Sequence, residues 1–176
     1  MNDFNAEFEA IYRDYFNDVF LYLRSISRDA GVAEELTQEV FFKALRSLDK
    51  FRGDCDVRVW LCQIAKNEYT SYCRKTGRVD LVDMESNQEC EKPPAGSVRF
   101  EERLEDSADA LDIHKILHTL DEPYKEVFSL RVFSELTFRQ IAEVFGKTES
   151  WARVTYHRAR LKIMERLEQQ QGGNGR

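Results

Sequence analysis

Apolar residues in the first third of the chain recur at steps of three, four and one: Phe4, Phe8, Ile11, Tyr12, Tyr15, Phe16, Val19, Leu23 and Ile26. Only a helix gathers such a series on one face, so a long amphipathic helix is expected there. The pattern breaks between Ser27 and Gly31, where Asp29 can cap a new helix. It resumes with Val32, Leu36, Val40, Phe41, Ala44, Leu45 and Leu48. Residues 49–56 carry a glycine and several charges and read as a loop. A third helix follows, with Leu61, Ile64, Ala65, Glu68 and Tyr72 along one face, ending near Gly77.

From about Val79 to Ser107 the periodicity fails, Pro93 and Pro94 stand together, and acids accumulate. A segment of this composition cannot bury a core and is expected to be a flexible linker. Four helical patterns follow at about 109–119, 122–133, 138–145 and 149–168. No strand-like alternation of useful length interrupts them. The expected fold is all-α, with two small helical domains, a three-helix unit at 1–78 and a four-helix unit at 109–169. An acidic linker at 79–108 joins them, and 170–176 forms a disordered tail.

Within the second unit, Thr137-Phe138-Arg139-Gln140 reads as a capping box that starts a short helix. That helix stops at Gly146, a residue suited to positive φ just past a helix end. After a short turn Thr148 can cap the next helix, in which Ala152, Tyr156, Ala159, Ile163 and Leu167 face inward. Arg153, His157, Arg158, Arg160 and Lys162 are left to point elsewhere. A short helix, a tight turn and a longer cationic helix are what a major-groove reader requires. The same pattern also fits a plain two-helix hairpin in a helical bundle.

Charge changes the picture. The net charge of −6 opposes DNA binding if the chain is averaged as one object. Its distribution does not, because residues 80–112 hold 11 acids against three bases, whereas 51–79 and 113–176 are each at +3. On the second helix Glu35, Gln38, Glu39 and Phe42 form a stripe at i, i+3, i+4 and i+7, either a docking surface or a widening of the apolar face. Around the third helix, Phe51, Arg52, Trp60, Gln63, Asn67, Tyr69, Arg74, Lys75 and Arg78 mix rings, amides and cations as single-stranded nucleic acid requires. Trp60 and Tyr69 equally suit a core.

Catalysis finds little support. Cys55, Cys62, Cys73 and Cys90 lack the spacing of a zinc site or a disulfide framework, and reduced thiols are expected. His114 and His118 stand at i, i+4 with no acid partner completing a metal site. No nucleophile constellation is visible, so neither a cofactor nor a small-molecule substrate is expected. No run approaches the length of a membrane span, and no export signal opens the chain, which points to the cytoplasm.

These residues resemble a known family. Ala33-Glu34-Glu35-Leu36-Thr37-Gln38-Glu39-Val40-Phe41, Phe51-Arg52-Gly53-Asp54 and Trp60-Leu61-Cys62-Gln63-Ile64-Ala65-Lys66-Asn67 look like region 2 of the extracytoplasmic-function sigma factors. Tyr124-Lys125-Glu126-Val127-Phe128, Ile141-Ala142-Glu143 and His157-Arg158-Ala159-Arg160 look like region 4. The resemblance implies a promoter-recognition subunit without catalytic activity, a monomer within the polymerase holoenzyme. It implies that Glu35, Gln38, Glu39 and Phe42 dock on core RNA polymerase. Phe51, Arg52, Asp54, Trp60, Gln63, Asn67 and Arg74 would open and hold the −10 element. Arg139, Ser150, Arg153, Val154, His157 and Arg158 would read the −35 element, and an anti-sigma factor, often membrane-bound, is an implied partner. Where many relatives begin the recognition helix Gly-Thr-Val, this chain has Ser150-Trp151-Ala152. The other reading of the residues is a free-standing helix-turn-helix regulator that dimerises through its N-terminal bundle.

Overall fold

The computed structural model describes residues 2–77 and 113–173, all of whose regular structure is helical. The linker expected at 79–108 lies outside the described residues, as do Arg78 and Cys90. α1 spans Asn2–Ser27 and α2 spans Ala30–Ser47. Asp29 separates them, its carboxylate accepting from the Val32 N–H at 3.0 Å and so satisfying one orphan donor of the helix start. A 3-10 turn at Leu48–Lys50 leads into α3, Val57–Lys75, which Asp56 caps by accepting from the Arg58 N–H at 2.8 Å.

The core of this first unit is laid down by Val19, Leu23, Ile26, Ala33, Val40, Phe41 and Ala44, as the periodicity of α1 and α2 predicts. An aromatic cluster closes one end, with the Phe41 ring 5.0 Å from Tyr12 and 5.7 Å from Phe16. The face of α3 differs from expectation. Val59, Cys62 and Cys73 are buried with Leu61 and Ala65, whereas Ile64 and Tyr72 are only half-buried. The buried face is thus wider than expected, because α3 is packed by α1 and α2 and also by the helix at Phe138–Phe145, while Ile64 and Tyr72 still pack against the core. A Lys43–Glu68 ion pair joins α2 to α3.

In the second unit a helical turn at 113–117 precedes α4, Tyr124–Val132, then α5, Phe138–Phe145, and α6, Glu149–Gly173. α6 runs into the stretch expected as a disordered tail, through to Gly173. Ile113, Ile116, Leu117, Leu120, Phe128, Ala159, Ile163 and Leu167 form a compact core of their own. α4 has six consecutive buried residues, Lys125 to Leu130, so no face of it reaches water along that stretch. A helix buried all round must lie between two layers. On one side it packs against α6; on the other it meets α1, while α5 lies against α3.

Candidate nucleic-acid interface

The helix-turn-helix expected at 137–166 is present with its local chemistry intact. The Thr137 hydroxyl accepts from the Gln140 N–H at 3.2 Å while the Gln140 side chain accepts from the Thr137 N–H at 2.9 Å, closing the capping box. Gly146 ends α5 at φ 64°, and its open surroundings leave the left-handed backbone as the reason for glycine there. Thr148 caps α6 by accepting from the Trp151 N–H at 3.1 Å. Ala152, Ala159, Ile163 and Leu167 face inward as expected, joined by Thr155, while Tyr156 is half-buried between Phe128 and Phe138.

The Ser150-Trp151-Ala152 start of α6 is accommodated by packing. The Trp151 ring lies 5.1 Å from Phe145, Ala152 is fully buried, and Ser150 stays exposed. The cations of α6 are not all left to point outward. Arg153 pairs with Glu149 at 2.7 Å and lies over the Phe138 ring at 4.9 Å. Lys162 lies over Tyr124 at 5.1 Å, and Arg139 of α5 is 3.7 Å from Glu143. Val154, His157, Arg158 and Arg160 are half-buried. Burial, with Arg160 adding to it, lowers the proton affinity of the His157 imidazole. The side chains are held by neighbours that a phosphate or a guanine edge can displace, since exposed ion pairs are worth only about 0–1 kcal/mol.

In the first unit the candidate residues divide. Arg52 and Asp54 are exposed in the loop ahead of α3, which Gly53 turns at φ 72°, and Asn67 and Arg74 are exposed on α3. Phe51 and Trp60 are partly buried and stack on each other, centroids 4.6 Å apart at 27°. They form a preassembled pair of rings at the mouth of the loop. Tyr69 is partly buried and donates to the Ile26 carbonyl at 2.9 Å, which makes it a structural ring; burial pushes its hydroxyl above the ordinary range. Gln63 reaches the other unit, donating to the Glu143 carbonyl at 3.4 Å.

The stripe on α2 is solvent-facing: Glu35, Gln38 and Glu39 are exposed and Phe42 is 53% exposed, with Arg46 over its ring at 5.7 Å. Phe42 therefore does not widen the apolar face, since the adjacent Phe41 is 2% exposed. Burial pushes the Cys62 thiol up to about 12 and raises Cys55 as well, so neither is a ready thiolate. Among the described residues no three His, Cys, Asp or Glu side chains converge as a metal site would require, and no helix is long and apolar enough to cross a membrane.

Two family models match in succession, sigma-70 region 2 over residues 11–79 and sigma-70 region 4 over residues 110–163. Curated relatives match across both. The ECF RNA polymerase sigma factor SigM of Bacillus subtilis is 26% identical, covering 88% of this chain and 91% of that protein. The chain belongs to the extracytoplasmic-function sigma factors. Another B. subtilis protein, RNA polymerase sigma factor YlaC, is 28% identical over 90% of this chain and 91% of its own length. Two solved structures share the fold. The sigma factor RpoE of Bartonella quintana, in complex with the anti-sigma factor NepR, has a TM-score of 0.69 at 24% identity, covering 96% of this chain and 98% of that one. CnrH, in complex with the cytosolic domain of CnrY, has a TM-score of 0.67 at 20% identity, covering 93% and 89%.

Reading the sequence did not single out Lys66 and Glu126, which pair across the two units at 3.0 Å. A signal existed in Glu122, Lys125 and Glu126, charges clustered at the start of a helix that continues Val127, Phe128, Ser129 and Leu130. In the structure Lys125 and Glu126 are buried, so the cluster is an internal ionic network rather than a solvated side.

Proposed function

We propose that this sigma factor directs promoter-specific transcription by reading two promoter elements with its two units while α2 holds core RNA polymerase. The observation that carries the reading is the coexistence of an intact helix-turn-helix with a solvent-facing acidic-aromatic stripe on a separate unit. A free-standing regulator would need the first and would use the second only to dimerise, for which three acidic or amide side chains around one ring are a poor self-complementary patch. In this reading Ser150, Arg153, Val154, His157 and Arg158 at the start of α6, with Arg139 on α5, meet the −35 duplex. The N-terminal half of a recognition helix is the part that enters the major groove.

Arg52, Asp54, Asn67 and Arg74, with the stacked Phe51 and Trp60, act at the −10 element. Their rings offer a stacking surface for unpaired bases and their cations follow the backbone, which offsets the few kcal/mol that unstacking costs. Glu35, Gln38, Glu39 and Phe42 supply the polymerase contact. The factor carries no catalytic group of its own and works in the cytoplasm as one copy per holoenzyme. An anti-sigma factor is its regulator, by analogy with the complexes known for its structural neighbours.

The assignment of the stripe is tested by co-purification with core polymerase. Phe42→Ala and Glu39→Lys are expected to abolish retention on core enzyme while leaving binding to −35 duplex unchanged. Retention equal to wild type in both variants refutes the docking role of α2.

A further inference from the structure

Arg153, in the first turns of α6, is gripped from two sides. Within its own helix Glu149 pairs with it at 2.7 Å. From α5 the Phe138 ring lies against its guanidinium, with 4.9 Å between the ring centre and Cζ. That ring is itself fixed. It is half-buried, lies 5.5 Å from the Tyr156 ring, and carries a second guanidinium, that of Arg131 on α4, at 4.8 Å. Arg131 is tied down in turn, donating to the Leu136 carbonyl at 2.8 Å across the turn between α4 and α5.

The two grips on Arg153 respond differently to DNA. The side chains of Arg153 and Glu149 are 56% and 51% exposed, so water screens their attraction. A phosphate brought up to α6 attracts the cation and repels the carboxylate, which opens the pair. The ring carries no charge and competes with no acceptor. A guanidinium stacks through its face and donates through its edge, so Arg153 can rest on Phe138 while its N–H fork meets a guanine edge or a phosphate. A long side chain that is free before docking loses that freedom on docking, a cost that prior ordering removes.

We infer that Phe138 is a positioning residue for the −35 contact, holding the Arg153 guanidinium in the orientation that α6 presents to the major groove. It acts through Arg153 and not by touching DNA. The first residue of α5 thereby becomes part of the reading head. An aromatic side chain suits the position because a leucine would fill similar space without offering a face to two guanidiniums. The inference rests on the promoter reading for the DNA contact, whereas the hold on Arg153 is a property of the chain without DNA.

Two measurements test it. The first is the Nε–Hε resonance of Arg153 in proton–nitrogen NMR spectra of the full chain without DNA, identified by its disappearance in Arg153→Gln. The ring current of Phe138 is expected to shift it upfield in wild type and in Phe138→Tyr, and the shift is expected to vanish in Phe138→Leu. An unshifted signal in wild type, or a shift that survives in Phe138→Leu, overturns the hold. The second is the affinity of holoenzyme, reconstituted from core polymerase and each variant, for a fluorescein-labelled duplex spanning a promoter mapped by run-off transcription. The same duplex with its −35 element scrambled is the reference. Phe138→Leu is expected to bind the intact duplex about two- to fivefold more weakly than wild type, the size of one guanidinium–ring contact at an exposed site, and Phe138→Tyr to recover most of that loss. In an Arg153→Gln background the leucine is expected to cost nothing further, because the residue it acted through is gone. A ring that only supports the fold would cost affinity equally in both backgrounds, and that result overturns the inference, as does full affinity in Phe138→Leu. Failure of the promoter reading would show separately, as no mapped start or as wild-type holoenzyme that binds both duplexes alike, even with the Arg153 signal shifted.

Discussion

Replacing Glu122 by Gln is expected to remove a specific pH dependence from the stability of the folded chain. The Glu122 carboxyl is pushed up from the ordinary 4.5 to about 7, first by burial and then by the neighbouring Glu126 carboxylate. Lys125 at 3.0 Å and the Glu126 N–H at 3.2 Å oppose the shift without cancelling it. Because the folded chain binds this proton more tightly than the unfolded chain, the group's contribution is full below about pH 4.5. It is lost as pH rises through about 7 and is constant above that. Between pH 5.5 and 8 the loss amounts to about 2 kcal/mol, from about 1.4 kcal/mol per unit of difference in bound-proton affinity.

His114, His118 and His157 are all held below their ordinary value by burial, so their contribution rises with pH over part of the same range. The measurement is therefore the difference between Glu122→Gln and wild type, from which those shared terms cancel. Urea unfolding at both pH values, followed by the fluorescence of Trp60 and Trp151, reports on one unit each. The variant is expected to gain about 2 kcal/mol on wild type between pH 5.5 and 8. A difference that stays constant across that interval refutes the claim that Glu122 is buried against Glu126.

Other substitutions separate structural from functional positions. Phe41→Ala is expected to cost about 3–5 kcal/mol by chemical denaturation, and Phe42→Ala less than about 0.5 kcal/mol, since the first ring is core and the second exposed. Thr137→Ala removes an acceptor from the capping box and is expected to lower stability by about 1 kcal/mol and weaken −35 binding in a gel-shift titration. Gly146→Ala carries a similar cost, about 1 kcal/mol in the same unfolding assay, through its left-handed backbone. Arg158→Ala is expected to reduce the slope of log affinity against log salt on −35 duplex by about one, the signature of a phosphate contact.

How much of this was legible beforehand follows from the physics of each element. α1, α2 and the helix-turn-helix could be read because local rules act there: amphipathic spacing, the Asp29 and Thr148 caps, the Thr137–Gln140 box and the glycine at positive φ all lie within a few residues of one another. The buried face of α3 was read only in part, with Leu61 and Ala65 but without Val59, Cys62 and Cys73, because its burial is decided also by what packs on it from afar, including α5 some 80 residues on, and thiols carry little periodic signal. The stripe on α2 was ambiguous until Phe41 and Phe42 were seen to fall on opposite sides of the surface. The junction between the units, with Lys66 and Glu126, depends on a contact between residues 60 apart, and no local pattern encodes such a pairing.

The central claim is that this chain confers promoter choice on RNA polymerase, and run-off transcription with purified core enzyme on genomic fragments tests it most directly. Discrete products are expected, with mapped starts that share one −10 and one −35 sequence and are lost when either element is scrambled. Transcripts that are the same with and without the factor, or products indifferent to both elements, would contradict it.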